Sequence, residues 1–181
     1  MNTKNFREIE KKLVIQEDYI QAIVILKRVY SKYTPLDCVT YDTYWECPGK
    51  AQFVRLRDSK GTMGKLKKSL EEVTVKSKDH ATNTNRQEVN IHVIHREARV
   101  LLEAALGKEL GQVNKSEIVY FLPGSLVVSL CDIFGGKAYV EVEAPSLATV
   151  NREIAKLKKY FKGSKREPRS LFEIYVQKKG G

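Results

Sequence analysis

Hydrophobic and polar residues alternate along several short stretches of the chain, as they do in strands that bury one face. These stretches are residues 7–15, 39–46, 52–58, 72–78, 86–93, 117–122, 126–133 and 138–143. Turns between some of them are supplied by Pro48-Gly49, Pro123-Gly124 and Gly135-Gly136. The pattern therefore predicts about eight strands that are connected mainly as hairpins.

Three other segments repeat their apolar residues every three or four positions, which predicts amphipathic helices. They are residues 17–32, residues 95–106, and a last helix that begins after an N-cap at Ser146 and ends at Gly163. Residues 59–68 are expected to form a basic loop, and the tail at 167–175 to close with a short strand. Because each helix must bury its apolar stripe, we predict an α+β, mainly β fold with helices packed outside an antiparallel barrel or sandwich.

The composition is that of a globular chain, with 181 residues, of which 42% are hydrophobic and 30% charged. It predicts one domain over residues 1–181. Three cysteines without ligand-like spacing, no membrane-spanning apolar run and no apolar signal core favour a cytoplasmic protein with free thiols that does not associate with a membrane. The formal net charge of +10 favours anionic partners, although a positive surface also serves solubility.

Ionised side chains occupy one face of strand after strand, beginning with Glu8, Glu10 and Lys12. Later strands carry Arg55 and Arg57, Lys76 and Lys78, Arg86 and Glu88, Asp132, and Glu141 and Glu143. In a one-sided sheet these faces would lie in water. If the helices cover the apolar faces, however, the charged faces point into a lumen. Buried charges are costly unless they are paired or bind ions, and a metal-bound polyphosphate satisfies both signs of charge.

The Glu-x-Glu-x-Lys pattern of the first strand resembles the signature of the CYTH superfamily. This family of triphosphate tunnel metalloenzymes includes class IV adenylyl cyclases and thiamine triphosphatases. The pieces that match in order are residues 41–45, 53–57, 73–76, 86–88, Asp132, residues 141–143 and the Arg169-Ser170 ending of the cyclase-like branch. The resemblance spans nearly the whole chain, and it implies an eight-stranded antiparallel β-barrel that binds a triphosphate along its axis.

The resemblance also implies roles for single residues. The metal ligands would be Glu8, Glu10, Glu88, Asp132, Glu141 and Glu143, with Mg²⁺ or Mn²⁺ as the ion because an all-oxygen site suits them. The phosphate oxygens would be bound by Lys12, Arg55, Arg57, Lys76, Arg86 and Arg169. The catalytic residues would be Glu8, Glu10 and Lys12. The implied activity is metal-dependent hydrolysis of an inorganic, nucleoside or thiamine triphosphate.

Two positions depart from the family pattern. Asn90 stands where the family often has a second glutamate, so it can ligate a metal but brings no charge. Glu117 stands where the family often has an arginine after Lys115. If Glu117 faces inward, we expect weaker triphosphate binding.

Two other functions are consistent with the same residues. A class IV adenylyl cyclase would use the tunnel to make cyclic AMP and pyrophosphate from ATP, and the Arg169-Ser170 tail favours it. A protein that binds polyphosphate or an RNA 5′-triphosphate without catalysis is the other alternative. Its support is the basic last helix and its exit, with Arg152, Lys156, Lys158, Lys159, Lys162, Lys165 and Arg166. Because a solvated helix face explains most such runs, nucleic acid is not the favoured partner. A homodimer is left open.

Overall fold

A computed structural model describes residues 4–47, 51–77, 85–107, 109–133 and 138–179. These residues form nine strands and four helices. The strands are β1 (Lys4–Val14), β2 (Leu36–Trp45), β3 (Ala51–Met63), β4 (Leu66–Ser77), β5 (Asn85–His92), β6 (Gly111–Leu122), β7 (Leu126–Asp132), β8 (Ala138–Ala144) and β9 (Lys165–Glu167). The helices are α1 (Tyr19–Val29), α2 (His95–Leu106), α3 (Leu147–Leu157) and α4 (Leu171–Lys179). Within these ranges, no helix has both the length and the hydropathy to cross a membrane.

The strands form one antiparallel sheet in the order β5-β4-β3-β2-β6-β7-β8-β1-β9. An additional antiparallel pairing joins β5 to β1, with the backbone of Glu8 opposite that of Arg86. Because this pairing joins β5, at one edge of the sheet, to β1 near the other edge, β1 to β8 form a closed ring of hydrogen-bonded neighbours. The predicted eight-stranded antiparallel β-barrel with outer helices is therefore confirmed.

β1 has different neighbours along its two halves. Residues 4–9 pair with β5, and residues 9–14 pair with β8. β8 lies along one edge of β1. Along the other edge, β5 pairs with residues 4–9 and the short β9 pairs with residues 12–14, which places Glu167 opposite Lys12. β9 thus extends the barrel wall and brings the tail at residues 168–170 beside the lumen.

Apolar residues on the outer face of the barrel are covered by helices. Leu13, Leu130 and Val142 are fully buried in one cluster with Leu26 of α1 and Val150 of α3. α2 covers a second cluster with β3 and β4. Since neighbouring residues of a strand point to opposite faces, this cover turns the alternate, charged residues toward the barrel interior.

Side-chain caps determine where α1 and α3 begin. The Asp18 carboxylate accepts a hydrogen bond from the backbone N–H of Gln21 at 2.8 Å. The Ser146 hydroxyl accepts one from the backbone N–H of Thr149 at 3.1 Å, which confirms the predicted N-cap. The predicted end of the last helix is wrong, because α3 ends at Leu157 and Gly163 lies in a later turn with φ 78°.

α4 closes one end of the barrel, and the sequence patterns did not predict this helix. Phe172 stacks on Tyr44 of β2 with their ring centroids 4.3 Å apart. Leu171 and Ile174 are buried in the same cluster. The predicted closing strand at residues 167–175 is wrong, because the short strand β9 ends at Glu167 and α4 follows after three residues.

The predicted basic loop at residues 59–68 is wrong, since these residues continue β3 and β4 as a long hairpin. The hairpin turns at Gly64, whose φ of 60° favours glycine. Gly61 allows β2 to pass close by, because a Cβ atom there would lie 2.2 Å from the backbone oxygen of Asp37. The two glycines therefore serve a tight turn and a close strand contact.

Candidate functional site

The inner faces of the barrel enclose a cavity of about 390 Å³. Seven strands contribute ionised side chains to its wall, namely β1, β2, β3, β4, β6, β8 and β9. Those of the eight-stranded ring on which the site is built are Glu10, Lys12, Asp42, Arg55, Arg57, Glu72, Lys115, Glu117, Glu141 and Glu143. The charged faces thus converge on a lumen, as their alternation predicts.

Neighbouring strands β1 and β8 place three carboxylates and one ammonium group on the same wall of the lumen. The register sets Glu10 opposite Glu143 and Lys12 opposite Glu141. Lys12 Nζ lies 2.8 Å from a carboxylate oxygen of Glu141 and 3.1 Å from one of Glu10. Burial lowers the pKa of Lys12, but the two carboxylates outweigh this effect and raise that pKa above its ordinary value. We call Glu10, Lys12, Glu141 and Glu143 the acidic wall.

On the opposite side of the lumen, Asp42 is buried among three cations. Its carboxylate accepts hydrogen bonds from Nε and Nη2 of Arg57 at 2.7 and 2.8 Å. Arg55 Nε lies 4.0 Å and Lys115 Nζ 3.8 Å from its oxygens. Burial by itself raises the pKa of Asp42, but Arg57 and Arg55 hold that pKa well below its usual range. Asp42 is therefore ionised at neutral pH.

Lys115 and Glu117 face the lumen from β6 and form a buried ion pair of 2.8 Å. Burial raises the pKa of Glu117, but Lys115 and Arg57 outweigh it, so the net shift is downward. Glu117 is one of the two departures from the family pattern, and its side chain faces inward. The chain thus places a carboxylate with its own counter-ion where the resemblance implies phosphate-binding cations.

Asn90, the other departure, lines the lumen from β5 at the end of a hydrogen-bond chain. Arg55 donates to Thr74 Oγ1 at 2.8 Å, and this hydroxyl donates to Asn90 Oδ1 at 2.7 Å. Arg55 Nη2 also lies 3.6 Å from a carboxylate oxygen of Glu72. Asn90 therefore helps to orient a cation without adding a negative charge. We call the set Asp42, Arg55, Arg57, Glu72, Lys115 and Glu117 the paired wall.

The tail after β9 contacts the acidic wall through its backbone. The backbone oxygen of Arg169 accepts a hydrogen bond from Lys12 Nζ at 3.3 Å. The Arg169 guanidinium is paired with the carboxylate of Glu167, with Nη2 and Oε2 2.6 Å apart. This pairing lowers the pKa of Glu167. Arg169 thus lines the cavity, and its side chain is bound to the carboxylate of Glu167; its role in binding phosphate stays a prediction.

Four predicted site residues, Glu8, Lys76, Arg86 and Glu88, have side chains that lie outside the described residues. Their backbone registers are described, with Glu8 opposite Arg86 between β1 and β5. Lys76 is opposite Glu88 between β4 and β5. Their roles stay predictions.

The structure corrects the prediction that Asp132 is a metal ligand. On β7, Ser129 and Cys131 face the interior, where Ser129 lines the cavity and Cys131 lies beside Glu141. Leu130 points the other way and is buried in the outer cluster with α1. Because side chains alternate along a strand, Asp132 shares the outer face with Leu130.

Three side chains of the paired wall carry no role in the sequence-based prediction, namely Asp42, Glu72 and Lys115. The signal for Glu72 was present, since it shares a strand face with Lys76. Lys115 lies before the predicted start of its strand at residue 117, whereas β6 begins at Gly111. Asp42 had no comparable signal, because aromatic and β-branched residues surround it in the sequence.

Among the side chains that the structure describes, we consider two groups as possible metal ligands. The acidic wall offers carboxylate oxygens from Glu10, Glu141 and Glu143, the donors that Mg²⁺ and Mn²⁺ prefer. In a second group, ligand atoms of Glu117, Cys131 and Glu141 lie within 4.8 Å of one another. However, burial raises the pKa of the Cys131 thiol well above its ordinary value, which disfavours the thiolate that metals bind. The acidic wall is therefore the better site for a hard divalent cation.

No protein-family model matches the sequence, and no curated protein matches it. Solved structures match over almost their whole length. The PH1819 protein from Pyrococcus horikoshii OT3 has a TM-score of 0.68 at 20% identity, with 94% of this chain and 99% of that chain covered. HpAC1 from Hippeastrum, described as a candidate adenylyl cyclase with a dominant triphosphatase activity, has a TM-score of 0.67 at 14% identity, with 94% and 95% covered.

A third structure is described as a candidate adenylate cyclase from Vibrio parahaemolyticus. It has a TM-score of 0.68 at 16% identity, with 96% of this chain and 99% of that chain covered. These likenesses concern the fold, since a shared fold does not by itself fix an activity. Together with the closed ring of eight strands, they show that the chain shares the fold of these proteins.

Proposed function

We propose that the protein is a divalent-metal-dependent phosphohydrolase that binds a triphosphate in the barrel lumen. The observation that carries the proposal is the convergence of carboxylates and cations on one cavity of about 390 Å³. Carboxylates suit a divalent ion, and guanidinium and ammonium groups suit phosphate oxygens. The triphosphatase activity in the description of the Hippeastrum protein supports the same class of reaction.

In this proposal the acidic wall holds Mg²⁺ or Mn²⁺ through Glu10, Glu141 and Glu143. The resemblance adds Glu8 and Glu88 to the same ligand set. A bound ion of this kind neutralises phosphate oxygens and lowers the pKa of a bound water. The fit rests on the donors, because Glu10, Glu141 and Glu143 line one wall of the lumen, and two of them, Glu10 and Glu141, pair with Lys12.

The cations of the lumen position the triphosphate. Those proposed to bind phosphate oxygens are Lys12, Arg55, Arg57, Lys76, Arg86 and Arg169. Lys12 lies between Glu10 and Glu141, two carboxylates that are proposed to hold the ion. The phosphate that Lys12 binds is therefore the one nearest to the ion. Asp42 fixes the guanidinium plane of Arg57 through two hydrogen bonds, so Arg57 is oriented before the substrate arrives.

The test is to incubate the protein with tripolyphosphate, thiamine triphosphate or ATP, each with Mg²⁺ or Mn²⁺, and to identify the products. Glu10→Gln and Lys12→Ala should each abolish turnover while the protein still unfolds cooperatively. The control variants Glu103→Gln and Lys159→Ala remove an exposed carboxylate and an exposed ammonium group outside the cavity, so they should keep the full rate. Full activity in either lumen variant would contradict the proposed mechanism.

A class IV adenylyl cyclase is the second candidate, and the position of the tail favours it. The backbone of Arg169 contacts Lys12, so the Arg169-Ser170 ending lies beside the proposed phosphate site. In this reaction the ribose 3′-hydroxyl attacks the α-phosphorus and pyrophosphate leaves. Cyclic AMP and pyrophosphate as products from ATP would identify the cyclase, whereas inorganic phosphate would identify the hydrolase.

A protein that binds a polyanion without catalysis is the third candidate, and the paired wall favours it. Among the described side chains of the lumen, Lys12, Arg55, Arg57 and Lys115 all have carboxylate partners, so a phosphate must compete with them. Binding of RNA or polyphosphate that falls steeply with salt, without product formation, would identify this function. Salt-independent binding would argue against contact with the basic residues of α3 and the segment that follows it.

We also propose a cytoplasmic location. Cys38 and Cys131 are free thiols. Free thiols are usual in proteins of a reducing compartment. Fractionation of cells that express the tagged protein would test the location.

A further inference from the structure

A buried thiol lies between two carboxylates of the lumen. β7 runs between β6 of the paired wall and β8 of the acidic wall, and it places Cys131 opposite Glu117. Cys131 Sγ lies 3.3 Å from Oε1 of Glu117 and 3.7 Å from Oε2 of Glu141 on β8. We call Glu117, Cys131 and Glu141 the thiol site.

The thiol site is enclosed by protein except toward the cavity. Cys131 is 0% exposed and Glu117 is 6% exposed. The carboxylates of Glu117 and Glu141 line the cavity, so the open side of the site faces the lumen. Three protein ligands with one position left open are the arrangement of a zinc ion that also binds water or another small ligand.

The separations between the ligand atoms fit a tetrahedral zinc ion. Zinc binds sulfur at about 2.3 Å and carboxylate oxygen at about 2.0–2.2 Å, so tetrahedral angles place the sulfur about 3.6 Å from each oxygen. The sulfur–oxygen distances of 3.3 and 3.7 Å lie close to this value. All three ligand atoms also lie within 4.8 Å of one another. One ion can therefore contact the three side chains without a change in the strand register.

A single thiol proton cannot satisfy the acceptors that surround the sulfur. The thiol has one S–H, but oxygen atoms of Glu117, Glu141 and Ser129 lie 3.3, 3.7 and 3.9 Å from Sγ. A divalent ion binds the sulfur and both carboxylates at the same time. Burial disfavours a free thiolate, but a thiol that coordinates a metal ion releases its proton to solvent, because the ion supplies the positive charge.

The neighbouring ammonium groups do not cancel the negative charge of the thiol site. Lys115 Nζ lies 2.8 Å from Oε1 of Glu117, and Lys12 Nζ lies 2.8 Å from Oε1 of Glu141. Since Oε2 of Glu141 faces the thiol, Lys12 and a metal ion can use different oxygens. Lys12 is also shared with Glu10. After the thiol loses its proton, four negative groups therefore balance two ammonium groups and one divalent ion.

We propose that the thiol site binds Zn²⁺ through Glu117, Cys131 and Glu141. A thiolate ligand selects for an ion that prefers sulfur, whereas the carboxylate oxygens of the acidic wall suit Mg²⁺ or Mn²⁺. The lumen thus contains two metal sites of different chemistry, and Glu141 belongs to both. The inference does not depend on which reaction the lumen performs.

The experiment is titration calorimetry with ZnCl₂ or MnCl₂, without substrate, on the wild type, Cys131→Ser, Cys38→Ser and Glu143→Gln. Cys38 is the matched control, because it is a second buried thiol that lines the cavity, with its Sγ 4.0 Å from Oγ1 of Thr40. Cys131→Ser should weaken Zn²⁺ binding roughly 100-fold, since even the loss of an outer-shell partner costs up to this factor, and leave Mn²⁺ binding unchanged. Cys38→Ser should change neither, and Glu143→Gln should weaken only Mn²⁺ binding.

Equal Zn²⁺ affinities in the wild type and Cys131→Ser, or equal losses in both cysteine variants, would overturn the inference. If Cys131→Ser does not fold, Co²⁺ added to Cys38→Ser/Cys47→Ser, where Cys131 is the remaining cysteine, tests the site instead. A sulfur-to-cobalt charge-transfer band with the strong visible bands of tetrahedral Co²⁺ would support the thiol site, and their absence would overturn it. Failure of Mn²⁺ to bind would remove the ion proposed for the acidic wall without changing these results.

Discussion

The acidic wall, on β1 and β8, and the paired wall, on β2, β3, β4 and β6, line the same lumen with different balances of charge. Among the described side chains, the acidic wall has three carboxylates and one ammonium group, whereas the paired wall has three carboxylates and three cations. Buried ions that are matched within the protein are stabilised by their own pairs, but an excess of carboxylates is stabilised by an added cation. We therefore propose that the paired wall supports the fold and orients the substrate, and that the acidic wall is the part of the lumen that binds the ion.

The largest expected difference between the walls is in stability. Arg57→Ala leaves Asp42 buried without the partner of its two hydrogen bonds, and should lower the free energy of unfolding by about 3–5 kcal/mol. Glu143→Gln, in the acidic wall, should lower it by less than about 1 kcal/mol. Denaturant unfolding of both variants measures these values, and similar losses would remove the distinction between the walls.

The next effect is in metal dependence. Glu143→Gln removes a carboxylate from the acidic wall, so the Mn²⁺ concentration for half-maximal activity should rise by roughly 10–100-fold. Glu72→Gln, in the paired wall, is the control and should change this concentration little. An equal rise of this Mn²⁺ concentration in both variants would show that the ion is not bound specifically by the acidic wall.

Glu117→Gln tests whether the paired wall competes with the substrate. The change removes the carboxylate that lies 2.8 Å from Lys115 Nζ and frees this ammonium group for phosphate. An added interaction of about 1 kcal/mol corresponds to a KM roughly five-fold lower. A higher KM for the triphosphate would show instead that Glu117 orients Lys115 for binding.

The smallest effect is on acid stability. The pKa values of Asp42 and Glu117 are lower in the folded protein than in the unfolded chain, despite burial, because of the neighbouring cations. The unfolded chain therefore takes up protons first, near its ordinary value of about 4, and stability that is complete above this pH declines below it. The melting temperature of Glu117→Gln should therefore decrease less between about pH 4 and 2 than the melting temperature of the wild type. Parallel curves for both proteins would contradict this account.

The fold could be predicted largely because strands and helices differ in their apolar period. Eight stretches of alternating apolar and polar residues predicted the strands of the barrel. Three segments with apolar residues at helical spacing predicted the helices that cover it. Residues 59–68 were wrong because Gly61 and Gly64 are typical of loops, although here they permit a close strand contact and a tight turn. α4 gave no signal because it buries aromatic and aliphatic residues against the end of the barrel without a regular stripe.

The site could be predicted only where one strand face is clearly polar. Glu10 and Lys12 were found because charged residues mark a single face of β1. Asp42 was missed because aromatic and β-branched residues surround it in the sequence. Asp132 was misassigned because β7 is buried on both faces, so burial does not follow the alternation there. In such strands one charged residue does not show which face is inside, and only the three-dimensional packing decides it.

The most direct test is the position of Mn²⁺ in crystals grown with a non-hydrolysable triphosphate analogue. We predict an anomalous peak within coordination distance of the Glu10 and Glu143 carboxylates, with the phosphates extending toward Lys12 and Arg57. A peak only outside the barrel, or a triphosphate bound away from the lumen, would contradict the proposal that the acidic wall holds the ion.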